Sequence, residues 1–146
     1  MKYTEEELIE AYNEVYEEEK PFTALLAGLI GAFPAAAMFV FFAFMGGILI
    51  WFIFIPAFFI GIFARFAAKP VRFSALAPLG VIAFVLHILG CLFLGFPPPI
   101  YILAPISAGI AMFTGKRKLT YIQELAISRV KLGKLNTNKL NQPGTP

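Results

Sequence analysis

From Pro21 to Gly115 the chain carries three charged side chains, Arg65, Lys69 and Arg72, all within eight residues of one another. Soluble domains are about a quarter charged, whereas this chain is 14% charged and 59% hydrophobic. So much apolar surface must face something other than water, and the plentiful apolar solvent of a cell is lipid. The length then fits one membrane domain with two short polar ends.

This charge-poor stretch divides into four apolar segments, at about residues 22–45, 48–66, 74–95 and 100–114. A helix needs about 20 residues to cross a hydrocarbon core of ~30 Å. The first three segments meet that length. The fourth is short, with Pro97, Pro98 and Pro99 leading it in, and a re-entrant segment is its alternative. The triplet Ala35, Ala36 and Ala37 resembles a signal-peptide cleavage site, but the residues before segment one are acidic and the apolar run continues past the triplet. Segment one is therefore read as a retained span.

Charge sets the orientation. None of the twelve Lys and Arg falls in the loops around Gly46–Gly47 or 96–99. Cytoplasmic loops are enriched in Lys and Arg, so this division predicts four spans with both termini cytoplasmic. Trp51 and Tyr101 then fall near the outer interface, where amphipathic rings are favoured.

The first 20 residues carry two Lys against eight Glu, a net of −6, and residues 115–146 carry seven cations against Glu124, a net of +6. Residues 1–20 read as an acidic amphipathic helix. Thr4 and Glu7 have capping-box spacing, Leu8, Tyr12 and Val15 share one face, and Glu10, Glu14 and Glu17 share another. Residues 115–146 read as a basic helix followed by a disordered tail beyond Gly133. Its stripe of Leu119, Ile122, Ala126 and Val130 is expected to dock on the N-terminal helix; the competing placement is on anionic lipid. The single cysteine, Cys91, excludes an intrachain disulfide and a cysteine metal cage. The basic residues flank apolar spans, which points to lipid and topology and not to nucleic acid.

Lipid tails are as apolar as leucine, so small residues that let backbones approach hold membrane helices together. Ala24, Gly28, Ala32 and Ala36 form one such row in segment one, with Ala27, Gly31 and Ala35 beside it. The rows serve packing within the chain, the preferred reading, or a homodimer seam. In segment two, Ala57, Gly61 and Ala64 are expected to meet segment one, and Phe52, Phe59, Phe63 and Phe66 to meet lipid. Pro34, Pro56, Pro78 and Pro105 place one proline in each span, most simply as ordinary tenants of membrane helices.

His87 is the ionisable side chain well inside a span, which makes it a functional-site candidate by default. Cys91 lies one turn further on the same face, and Ser107 falls at the same depth in segment four. One His and one Cys are too few for a metal cage, and a proton relay lacks an acidic partner. His87 and Cys91 are therefore weak cofactor candidates, and no cofactor is expected. The bland reading pairs a neutral His87 with Ser107 or with a carbonyl freed by proline, such as that of Phe52. Arg65, Lys69 and Arg72 bracket Pro70, where they fix topology, grip lipid phosphate, or do both. No nucleophile with its base, phosphate loop or metal motif is present. Glu6 and Glu10 share a helix face as part of a solvated surface.

The pieces Arg65–Phe66, Lys69, Phe73 and Leu89–Gly90–Cys91–Leu92 form a pattern within residues 61–95. This stretch resembles a group of uncharacterised bacterial multi-span inner-membrane proteins. Ala68 and Pro70 stand where that group has glycines. The resemblance implies a bacterial multi-span protein and no particular activity.

These observations predict an all-α integral membrane protein, a four-helix bundle, with a small non-catalytic role as subunit or scaffold. The expected partners are the lipid bilayer, a homo-oligomer or larger membrane complex, and a cytoplasmic protein recognised by the charged ends. The alternative function is an oligomeric channel or small transporter.

Overall fold

The computed structural model describes residues 3–44 and 53–135. Helices and their connections account for these residues, with no strand among them. The elements are α1 (Glu5–Glu18), α2 (Pro21–Phe44), α3 (Ile55–Ala68), α4 (Phe73–Phe93), a 3-10 helix (Pro98–Leu103), α5 (Ala104–Gly115) and α6 (Tyr121–Lys131). Three stretches are long and apolar enough to cross a membrane: Pro21–Phe42, Phe73–Phe93 and Pro98–Gly115. Helix α3 is apolar but shorter, at 14 residues. The Gly46–Gly47 loop, Trp51 and Phe52 lie outside the described residues.

The fourth segment begins earlier than its composition suggested. The 3-10 helix starts at Pro98 and runs directly into α5. Prolines suit a first helical turn, whose N–H groups have no partner inside the helix. Six residues rising ~2.0 Å and twelve rising ~1.5 Å give about 30 Å, the thickness of a hydrocarbon core. Two of the four prolines are likewise at helix starts, Pro56 in α3 and Pro105 in α5. Pro34 and Pro78 are the interior ones.

The chain separates into two compact units, one of residues 1–18 and 118–146, the other of residues 19–117. In the smaller unit α1 packs against α6 around Leu8, Ile9, Ala11, Ala126 and Leu135, with Tyr12, Ile122 and Val130 at the edge. The Thr4 N–H donates to Glu7 Oε2 at 2.8 Å and the Glu7 N–H to Thr4 Oγ1 at 3.3 Å, which closes the capping box. Thr120 and Gln123 form a second capping box at the start of α6. Past α6, Gly133 at φ 66° ends the helix, while the Gly133 and Lys134 N–H groups donate to the Val130 and Arg129 carbonyls. This paired closure needs a left-handed residue, which glycine adopts without a Cβ penalty. It folds Leu135 back onto the core, 5% exposed. Order therefore extends beyond Gly133, where the polar composition suggested a tail; residues 136–146 lie outside the described residues.

In the larger unit α2 packs on α3 and α4, and α5 also packs on α3 and α4. The shared core holds Ala27, Ala35, Ala57, Ile60, Ala64, Leu79, Ala83 and Ala111. Glycines set the closest approaches. A Cβ on Gly31 would meet the Ile60 Cα at 3.2 Å, and one on Gly90 would meet the Phe39 ring at 2.5 Å. Gly61 departs from expectation. It faces α5, not α2: an added Cβ would meet the Ala111 carbonyl oxygen at 2.6 Å and the Gly115 nitrogen at 2.9 Å. Helical geometry turns successive residues by about 100°, so a stripe only a few residues long can divide between two neighbours. Phe63 and Phe66 are exposed as expected, whereas Phe59 packs partly into the core and Phe58 points outward.

Candidate functional site

Two polar places interrupt the larger unit. The first is internal. Helix α4 turns His87 inward with Ala83, Gly90 and Cys91, all buried. Ser107 Oγ lies 2.6 Å from His87 Nδ1, and His87 Nε2 lies 3.3 Å from the Ile100 carbonyl oxygen. A carbonyl can only accept, so Nε2 carries the proton, Nδ1 is the acceptor, and the Ser107 hydroxyl donates to it. A neutral imidazole thus satisfies both nitrogens without any acid. Phe54 approaches the imidazole with ring centroids 6.1 Å apart. Cys91, fully buried, belongs to a cluster with Phe39 and Ile53. Among the described residues, no three His, Cys, Asp or Glu side chains gather as a metal site would require. The Ile100 carbonyl is the one His87 uses; that of Phe52 lies outside the described residues.

The second place is the turn between α3 and α4. Arg65 lies half-buried in the last turn of α3. Lys69 caps that helix in the left-handed region, at φ 47° and ψ 47°. Arg72 is the extended residue that opens α4. Of these three cations, Arg72 pairs with Glu19. Glu19 Oε1 accepts the Val71 N–H at 2.9 Å and the Arg72 N–H at 2.6 Å, while Oε2 lies 3.5 Å from Arg72 Nε. The two backbone N–H bonds to a carboxylate are charge-assisted and of the strong kind, whereas the 3.5 Å ion pair to the half-exposed Arg72 guanidinium adds little. Arg117 joins the same turn through its backbone, its N–H donating to the Pro70 carbonyl at 2.9 Å. At this end Ala24, Ala68 and Ala75 pack together.

The small-residue rows of α2 divide between neighbours. Ala24, Ala27, Gly28, Gly31 and Ala35 are buried, while Ala32 and Ala36 are half-buried. Gly28 faces Leu79 and Ile82 of α4, and Gly31 faces Ile60 and Phe63 of α3.

In the smaller unit, apolar stripes face each other and charge faces outward. Glu6, Glu10, Glu14 and Glu17 line an open concavity along α1. Glu14 Oε2 also accepts from the buried Gln123 amide at 3.0 Å, tying α1 to α6.

Glu19 and Gln123 are the residues that sequence reasoning missed. Glu19 looks like seven neighbouring glutamates, and its partners lie more than fifty residues away. Gln123 did carry a signal, the Thr-x-x-Gln spacing of a capping box. Comparison of the chain with protein-family models, with curated proteins and with solved structures gives no match.

Proposed function

We propose that this chain is a small, non-catalytic, four-span membrane subunit or scaffold with both termini in the cytoplasm, where the paired end helices recognise a cytoplasmic protein. The observation that carries this reading is the smaller unit. Leu8, Ile9, Ala11, Ala126 and Leu135 are taken up by the α1–α6 contact, which leaves Glu6, Glu10 and Glu17 of α1 turned outward. A charged face held on a packed helix pair presents a fixed pattern to a basic partner and steers its approach.

Four spans are supported by the ~30 Å reach of the Pro98–Gly115 stretch and by the apolar sequence from Ile48 to Phe54 that precedes α3. The segregation of Lys and Arg supports the orientation, and the resemblance of residues 61–95 to bacterial inner-membrane proteins supports that location. A homo-oligomer or larger membrane complex fits the same reading.

The alternative is an oligomeric channel or small transporter. His87 favours it, because an ionisable side chain within a span marks a substrate path by default. Against it, both ring nitrogens of His87 are already engaged.

The test has two arms. Reporter fusions after Gly46 and Pro98 are expected outside, and terminal fusions inside; a cytoplasmic Gly46 fusion would remove the four-span reading. A protein partner that co-purifies with the wild type should be lost from a Glu6→Gln, Glu10→Gln, Glu17→Gln variant. Solute flux in proteoliposomes above that of empty vesicles would favour permeation instead.

A further inference from the structure

Helix α6 uses only one of its faces on α1. Successive helical residues turn by about 100°, which puts Ile122, Ala126 and Val130 on the side that packs against α1. The same rotation puts Tyr121, Ser128 and Leu132 in line on the opposite side. Tyr121 is 69% exposed and Leu132 66%, and Ser128 between them is exposed as well. Three turns separate the two apolar side chains, which stand about 16 Å apart along one face.

Charge divides across the helix pair in the same sense. Residues 3–18 carry seven Glu and no cation, whereas residues 118–135 carry four cations against Glu124. Arg129 is half-buried and engaged within the protein. Lys118, Lys131 and Lys134 are exposed, and the exposed Glu124 offsets one of them. Lys131 ends α6, one position before Leu132, and Lys134 follows the left-handed Gly133. Apolar side chains exposed singly on a soluble surface need no explanation. Two of them in line, flanked by lysines, match a helix face at a bilayer interface, with tyrosine at headgroup level and ammonium groups on lipid phosphate. Tyr121 follows the end of the Pro98–Gly115 stretch by six residues, and six extended residues reach about 20 Å. The start of α6 is therefore tethered within that distance of the stretch's end.

We infer that α6 lies with its Tyr121, Ser128 and Leu132 face on the anionic lipid surface of the cytoplasmic leaflet while its opposite face holds α1. The two placements open to a basic helix, on α1 or on lipid, are thus taken together by opposite faces. Anionic headgroups attract Lys118, Lys131 and Lys134 and repel the glutamates of α1. The acidic face is thereby turned to the cytoplasm, where a basic partner can reach it. This inference rests on the spanning reading above and adds a membrane contact outside the spans.

The test attaches a fluorophore to full-length Ser128→Cys, Cys91→Ser protein in nanodiscs, where quenching by a headgroup nitroxide lipid reads contact with the surface. Strong quenching is expected in mixed phosphatidylglycerol and phosphatidylcholine, and weak quenching in phosphatidylcholine alone. The same probe on Glu10→Cys should stay unquenched in both. Lys131→Gln and Lys134→Gln should each lower the ratio of docked to free helix about fivefold, and Lys131→Arg should retain it. A crosslink between cysteines at Tyr12 and Ile122 should persist in phosphatidylglycerol, because α1 keeps its own face of α6. Absence of quenching at Ser128, equal quenching in the two lipid compositions, an unchanged ratio in both Gln variants, or loss of that crosslink in phosphatidylglycerol overturns the inference. Recovery of wild type in the soluble fraction without detergent would instead overturn the spanning reading.

Discussion

The Ser107–His87 contact offers the sharpest energetic test. Both side chains are nearly inaccessible, at 1% and 2% exposure. Ser107→Ala removes the donor to Nδ1 and leaves a buried acceptor unsatisfied, which costs about 1–3 kcal/mol in a water-solvated reference. In membranes the unfolded reference also finds partners, and interhelical polar contacts average about 0.6 kcal/mol with a maximum near 1.7. The 2.6 Å separation is short, whereas the second bond, at 3.3 Å, is longer than the preferred N–H···O distance. Ser107 therefore carries the larger share, and a coupling of about 1 kcal/mol is expected. His87→Ala alone should cost about 2 kcal/mol, because the lost ring also leaves a cavity. The assay is a double-mutant cycle of reversible unfolding in bicelles. Coupling below the ~0.3–0.5 kcal/mol scatter of independent sites would refute the hydrogen bond as a structural link. Imidazole nitrogen shifts provide a second readout, since the geometry requires the proton on Nε2; the opposite tautomer would refute the donor assignment.

Three further outcomes follow from packing and capping. Gly61→Ala should destabilise the larger unit by about 1–3 kcal/mol, because the new methyl meets the backbone of Ala111 and Gly115, which cannot rotate away; an unchanged unfolding midpoint would refute this close approach. Glu19→Ala should cost roughly 1.5–3 kcal/mol and speed hydrogen exchange at the Val71 and Arg72 amides; unaltered exchange there would refute the Glu19 clamp. Cysteines at Tyr12 and Ile122, in a Cys91→Ser background, should crosslink under mild oxidation, since both side chains border the α1–α6 core; failure to crosslink would refute that docking.

What the sequence determined by itself was set by local or one-dimensional physics. The apolar runs, their lengths and the capping box of Thr4 and Glu7 all arise from contacts or periodicities within a few residues. The depth of His87 and Ser107 was readable in the same way, because rise per residue converts position into height. Tertiary structure decided what depends on direction. Gly61 turned toward α5 and not α2, a choice of angle that a row of small residues leaves open. Glu19 was legible only as one glutamate among eight, because its role comes from Val71 and Arg72, brought to it by the return of α3 into α4. The level at which α5 stops was hidden for a related reason. Composition shows where an apolar run stops, but the height of that stop beside α3 and α4 exists only once Gly61 and Gly115 have packed together.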